Sequence, residues 1–150
     1  MVGIALLAGL APAQAQSAAT SEMLVFDARS GLALYGFDPV AYFTDGAART
    51  GDEDLEYSWR GVAWRFVNEG NRAAFEKDPE VYTPQFGGYD PVAVAKGIAR
   101  PGHPEFFLVY NQQLFLFYSA EARDAFAADA EAMAAQAKIE WPAVSKTLSP

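Results

Sequence analysis

From Leu55 to Phe66 the chain alternates apolar and polar side chains in two successive runs. Leu55, Tyr57 and Trp59 are separated by Glu56 and Ser58, Gly61 interrupts, and Val62, Trp64 and Phe66 resume the alternation. A period of two puts each apolar set on one face, which predicts a β-hairpin turning at Gly61. A second hairpin is predicted where Phe106 to Tyr110 and Leu114 to Phe117 flank the polar Asn111-Gln112-Gln113. Its runs are apolar on both faces and therefore predict more deeply buried strands. A helical pattern follows each hairpin, with Asn68 and Ser119 standing where N-caps belong. Phe75, Pro79 and Tyr82 share a face, with Pro79 starting a new turn, and Ala122, Phe126, Ala130 and Met133 form the corresponding stripe. Asp38-Pro39 and Asp90-Pro91 each predict a short helix or turn, because the carboxylate caps free amides and proline suits the first turn. The second of these should stop near Lys96-Gly97. Met23 to Phe26 and Leu32 to Tyr35 predict a pair of short edge strands. The expected class is α+β, with antiparallel hairpins in one sheet or two packed sheets covered by helices.

The chain also repeats itself. Gly36-Phe37-Asp38-Pro39-Val40-Ala41 recurs as Gly88-Tyr89-Asp90-Pro91-Val92-Ala93, at an offset of 52. Trp64-Arg65-Phe66 matches Phe115-Leu116-Phe117 at an offset of 51, and Arg72, Phe75 and Asp78 meet Arg123, Phe126 and Asp129 at that same offset. Two collinear blocks at nearly one offset predict a duplication, copy one at about 36–86 and copy two at about 87–144. Neither copy is long enough to bury much surface alone, so a single domain over 32–150 is expected.

Composition narrows the function classes. Among 150 residues, 51% are hydrophobic and 14% aromatic, enough for a substantial core. The net charge of −8 argues against nucleic acid and anionic lipid as partners. Asp52, Glu53, Asp54 and Glu56 form an acidic knot that reads as a solvated loop, without the glycine and distal glutamate of a calcium-binding loop. The chain has no cysteine, which excludes disulfides, thiolate metal sites, cysteine nucleophiles and lipid-modified cysteine anchors. Residues 1–15 read as a signal peptide: an apolar run from Val2 to Leu10 leads to Ala13-Gln14-Ala15, a small-x-small cleavage pattern. No Lys or Arg precedes Arg29, so the leader is atypical or the true start lies upstream. Residues 16–31 are then a lead-in, and the mature chain is expected to be periplasmic or secreted, without a membrane anchor.

Copy one resembles the YHS domain family through Asp38-Pro39-Val40, the Tyr57 to Gly61 hairpin, Trp64 to Phe66, and Phe75 to Tyr82. Over about Leu32 to Val144 the chain is similar to exported bacterial YHS-containing proteins. The matching motifs are Gly36 to Phe43, Pro84-Gln85-Phe86-Gly87-Gly88-Tyr89 and Trp141-Pro142. The resemblance suggests metal handling, because related modules in copper pumps carry cysteines. Here Asp90, Val67 and Asn71 occupy the positions where cysteine would stand, and the remaining soft donors His103, Met23 and Met133 are scattered. No metal and no cofactor is therefore expected.

The candidate ligand-binding residues are Asp38, Tyr42, Tyr89, Asp90 and His103. The two aspartates could pair if the copies pack about a pseudo-twofold axis, although capping, which the Asp-Pro context favours, is the preferred explanation. Gly87-Gly88-Tyr89 permits close backbone approach and offers an oriented hydroxyl, although a turn linking the copies needs the same glycines. His103, in Pro101-Gly102-His103-Pro104, is expected in a loop and is the sole imidazole. Three readings stay open: a non-catalytic binding or accessory module with an unknown small ligand or protein partner, a small enzyme around Tyr89, Asp90 and His103, and a structural or partner-binding module. No phosphate-binding loop, triad motif or metalloprotease helix appears.

Overall fold

In a computed structural model, residues 24–148 are described. The proposed leader and the start of the lead-in lie outside them. The class is α+β, with a four-stranded and a two-stranded sheet. Strand β1 (Phe26–Asp27) pairs antiparallel with β2 (Leu32–Ala33), and Leu32 pairs in parallel with Ala63 of β4 (Val62–Phe66). Strand β3 (Asp52–Trp59) closes the order β1-β2-β4-β3. The second sheet is the hairpin of β5 (His103–Tyr110) and β6 (Gln113–Phe117). Both hairpins turn through two left-handed residues, Arg60-Gly61 at φ 51° and 77°, and Asn111-Gln112 at φ 50° and 59°. That backbone matches the right-handed twist of the flanking strands.

Burial follows the side-chain pattern on β4 and β6, but β5, expected to be deeply buried, keeps Phe106 to Tyr110 only partly buried. Strand β4 buries Val62, Trp64 and Phe66 and leaves Ala63 and Arg65 partly exposed. Strand β6 buries Leu114, Phe115, Leu116 and Phe117 because it divides two cores. Leu114 and Leu116 join Leu34, Val40, Trp64 and Phe66, whereas Phe115 and Phe117 join Val94, Phe126, Ala137 and Val144. Helix α2 (Glu69–Lys77) sends fully buried Phe75 to within 5.3 Å of Phe66, ring centre to ring centre. Helix α5 (Ala120–Ala128) sends Phe126 to within 5.2 Å of Phe117. Asn68 and Ser119 cap these helices, accepting from the backbone amides of Asn71 and Ala122. Short helices α1 (Ala41–Thr44), α3 (Pro79–Tyr82) and α4 (Pro91–Val94) and the long α6 (Ala130–Lys146) complete the fold.

Several expectations are corrected. Leu34 to Gly36 form a 3-10 turn, not the end of a strand, with Phe37 N donating to Leu34 O at 3.0 Å. The acidic knot lies on β3, not in a loop. As the outer strand of its sheet, β3 can point those carboxylates at water, and charge on an exposed edge discourages pairing with another chain. His103 starts β5 instead of lying in a loop. The apolar stripe after Ser119 does not belong to one helix: Asp129, at φ −151° and ψ 57°, separates α5 from α6. The break redirects α6 so that Ala137, Val144 and Trp141 face the second core, and the helix then continues through Pro142. Finally, the folded region begins before residue 32. Leu24 and Val25 are buried in the first and second cores respectively, and Val25 N donates to Gly87 O at 2.8 Å.

Some local geometry recurs between the two hairpin-helix segments. Gly51 N donates to Gly36 O and Gly102 N to Gly88 O, both at 2.9 Å; Asp38 N donates to Arg49 O and Asp90 N to Arg100 O, both at 2.8 Å. The surroundings differ, with four strands in one sheet against two, and a four-residue α3 where α6 has seventeen.

Candidate functional site

A mostly apolar cleft of about 530 Å³ opens between the two segments. Tyr35 and Phe37 form one wall, and Pro101, Gly102, His103, Pro104 and Tyr118 form the other. Its shape depends on close backbone approach at Gly102. A Cβ there would sit 2.6 Å from Gly88 O and 2.7 Å from Leu116 Cβ, so only glycine lets this segment lie against β6. The wall is pinned from below by Tyr42, whose hydroxyl donates to Pro104 O at 2.7 Å and whose ring meets Phe107 edge-on at 4.8 Å. Burial, reinforced by the nearby charges of Asp38 and Glu105, raises the Tyr42 phenol well above its ordinary range. It is therefore a neutral donor.

Tyr35 is the strained member of the cleft. It is 47% exposed and held at φ 53°, ψ 27°, a left-handed conformation costly for a bulky side chain. The turn Gln85–Gly88 repeats this backbone but places glycine, Gly87 at φ 60°, where the first turn has Tyr35. Tyr118, on the opposite wall, is 57% exposed and carries the Arg100 guanidinium over its ring at 4.8 Å.

Of the five candidate ligand-binding residues, Asp38, Tyr42, Tyr89, Asp90 and His103, only His103 lines this cleft. Its exposed ring has Nδ1 accepting from Glu105 N at 3.2 Å, so the neutral imidazole carries its proton on Nε2. Glu105 Oε2 stands 4.0 Å from the same Nδ1, a contact that becomes an ion pair only on protonation. Asp38 is fully buried: Oδ1 accepts from Val40 N and Ala41 N at 2.8 and 3.2 Å, and Oδ2 from Val67 N and Asn71 Nδ2 at 2.9 and 2.7 Å. Asp90, 2% exposed, accepts from Val92 N at 2.8 Å and Tyr118 N at 3.0 Å. Each aspartate thus ties its turn to the start of the helix after its own hairpin, which is the work of a cap extended across the chain. Tyr89 is buried against Trp141, 6.1 Å away, and follows a turn in which Phe86, Gly87 and Gly88 all have left-handed backbone.

The positions where the family resemblance would put cysteine are therefore built into hydrogen bonding: Val67 N and Asn71 Nδ2 serve Asp38, and Asp90 serves Tyr118 N. Among the described residues, no group of three or more His, Cys, Asp or Glu is placed to hold a metal ion. Among the described residues, no helix is long and apolar enough to cross a membrane. A second hollow, about 290 Å³, is lined by Trp59, Arg60, Glu80, Gln85 and Trp141, and its charges pair internally through Arg60 and Glu80 at 2.8 Å. Sequence reading missed Tyr35 and Tyr118 as site residues. The available signal was Tyr118 itself, an aromatic standing between the buried run ending at Phe117 and the cap at Ser119. Compared with known families, curated proteins and solved structures, the chain matches none.

Proposed function

We propose that this chain is an exported, non-catalytic binding protein of the YHS-like class, built by duplication, and that its ligand seat is the cleft of Tyr35, Phe37, His103 and Tyr118. One observation carries the reading: an exposed tyrosine sits in a strained left-handed conformation where the matching turn uses glycine. Strain of this kind persists where the side chain has a task, and concave apolar surfaces with a few polar groups are where small ligands bind. Tyr42, Gly102 and Pro104 keep the opposite wall in place. The recurrent Asp-Pro turns and hairpin-helix order support the duplication, and the motifs from Asp38 to Tyr82 support the family. A binding role fits better than catalysis, since the carboxylate oxygens of Asp90 are engaged by backbone amides and the cleft holds no partnered nucleophile.

The test substitutes Tyr35→Gly and screens a panel of small aromatic fragments by amide chemical shifts. Removing the left-handed strain should raise stability by about 1 kcal/mol. Fragments should give saturable shifts at Tyr35, His103 and Tyr118 in the parent chain and lose them in the variant. A destabilised variant that still binds, or a panel without saturable shifts at these residues, overturns the reading.

A further inference from the structure

Beside the cleft lies a recess of about 280 Å³, lined by Lys96, Arg100, Ser119 and Asp90 among others, and Tyr118 is common to both hollows. Tyr118 therefore borders both an apolar aromatic hollow and a cationic one. Arg100 is held in two ways: its carbonyl accepts Asp90 N at 2.8 Å, and its guanidinium lies over Tyr118 at 4.8 Å. Stacked so, a guanidinium keeps its N–H edge available for a planar oxyanion. Among the described residues, no carboxylate pairs with Arg100 or with Lys96. Asp90, the one acid lining the recess, is 2% exposed, with Val92 N and Tyr118 N on its two oxygens. The Glu105 carboxylate stands 4.0 Å from His103 Nδ1 and does not line the recess. Two unpaired cations flanking one aromatic wall are a local reversal on a chain of net charge −8.

We infer that the ligand is an aromatic acid: a flat apolar ring seated between Tyr35 and Tyr118, with a carboxylate or similar anion reaching over Tyr118 to Arg100 and Lys96. The inference rests on the cleft being the ligand seat and adds the charge of the ligand. A neutral ring uses half of the surface, and a cationic ligand is repelled by Arg100.

The experiment uses matched fragment pairs, benzoate with benzamide, phenylacetate with phenylacetamide, and indole-3-acetate with indole-3-acetamide, titrated by amide chemical shifts into the parent chain and into Arg100→Gln and Lys96→Gln. Each acid should bind about three- to tenfold more tightly than its amide, the scale of partly exposed charged contacts. Arg100→Gln should abolish that ratio, weakening each acid far more than its amide, Lys96→Gln should reduce it, and added salt should shrink it. Both positions are exposed, so the variants keep the fold, which their spectra check directly. Acids and amides binding equally at Tyr35 and Tyr118 would overturn the inference and leave the cleft reading standing. No saturable shift from either member would overturn both.

Discussion

Asp38 offers the sharpest test of whether the buried aspartates hold the fold or a ligand. Replacing it with alanine strips the acceptor from four donors, Val40 N, Ala41 N, Val67 N and Asn71 Nδ2, at a site with no solvent exposure. An orphaned buried donor costs about 1–3 kcal/mol, although the small void can admit water and the Asn71 amide can turn away. With two or three donors left unsatisfied, Asp38→Ala should lose roughly 3–6 kcal/mol, a large part of the ~5–15 kcal/mol that holds a typical domain. Asp90→Ala orphans Val92 N and Tyr118 N alone, and should lose roughly 2–4 kcal/mol. Asp38→Asn keeps the oxygen facing Val40 and Ala41 but turns an amide toward two donors, so it should fall between parent and Asp38→Ala. Urea unfolding with matched m-values reads these differences. A cycle with Asn71→Ala should recover part of the loss, because the double variant no longer buries an unpaired amide. The structural role is refuted if Asp38→Ala stays within about 1 kcal/mol of the parent, or if Asp90→Ala costs more.

Phe75→Ala and Phe126→Ala each empty a fully buried aromatic site and should cost roughly 3–5 kcal/mol by the same unfolding assay; a loss under 1 kcal/mol at either would show that the core repacks freely. Gly102→Ala forces a Cβ against Gly88 O and Leu116, so its thermal midpoint should fall by roughly 3–10 °C, and an unchanged midpoint would mean that the segment can lift off β6. Asp27, the last residue of β1, accepts from Arg29 N and the Ser30 hydroxyl, and these bonds hold its carboxyl below the ordinary 3.8. A depressed folded-state value means that this interaction is complete above pH 3.8 and fades as pH falls through the folded value, so Ser30→Ala should move the Asp27 titration upward in an NMR experiment.

The hairpins and caps were legible because their signals are local. Alternation over Leu55 to Phe66, the doubly apolar run at Leu114 to Phe117, and Asn68 and Ser119 ahead of their helices each need only a few neighbouring residues to be read. The cleft was not legible, because its walls come from 35–37, 101–104 and 118, and only the fold brings them together. Tyr35 was misread for a related reason. In Leu32 to Tyr35 the apolar run suggests a strand, but Leu34 N is taken by Val25 O and both Leu34 and Tyr35 turn left-handed. Asp38 and Asp90 were flagged as chemistry and as caps; their long-range bonds to Val67 N and Tyr118 N decide for the cap.

The same long-range packing binds the proposed site to the stability of the whole chain. Strand β6 contributes Leu114 and Leu116 to the first core and Phe115 and Phe117 to the second, while Leu24 and Val25 divide between them in the same way. Neither core is complete without residues from the other half. The cleft straddles this seam, with Tyr35 and Phe37 on one side and Pro101 to Pro104 and Tyr118 on the other. A ligand seated there contacts a surface that exists only when both cores are formed, and so it binds the native state alone. Mass action then requires the unfolding free energy to rise by about 2.7 kcal/mol at a ligand concentration one hundred times Kd. Because the cleft takes residues from both sides of the seam, the ligand should shift the melting of both cores together, with the Trp59, Trp64 and Trp141 fluorescence transition coincident with loss of helical circular dichroism. Separated transitions in the presence of ligand would place the seat on one half alone and remove the seam from the binding argument.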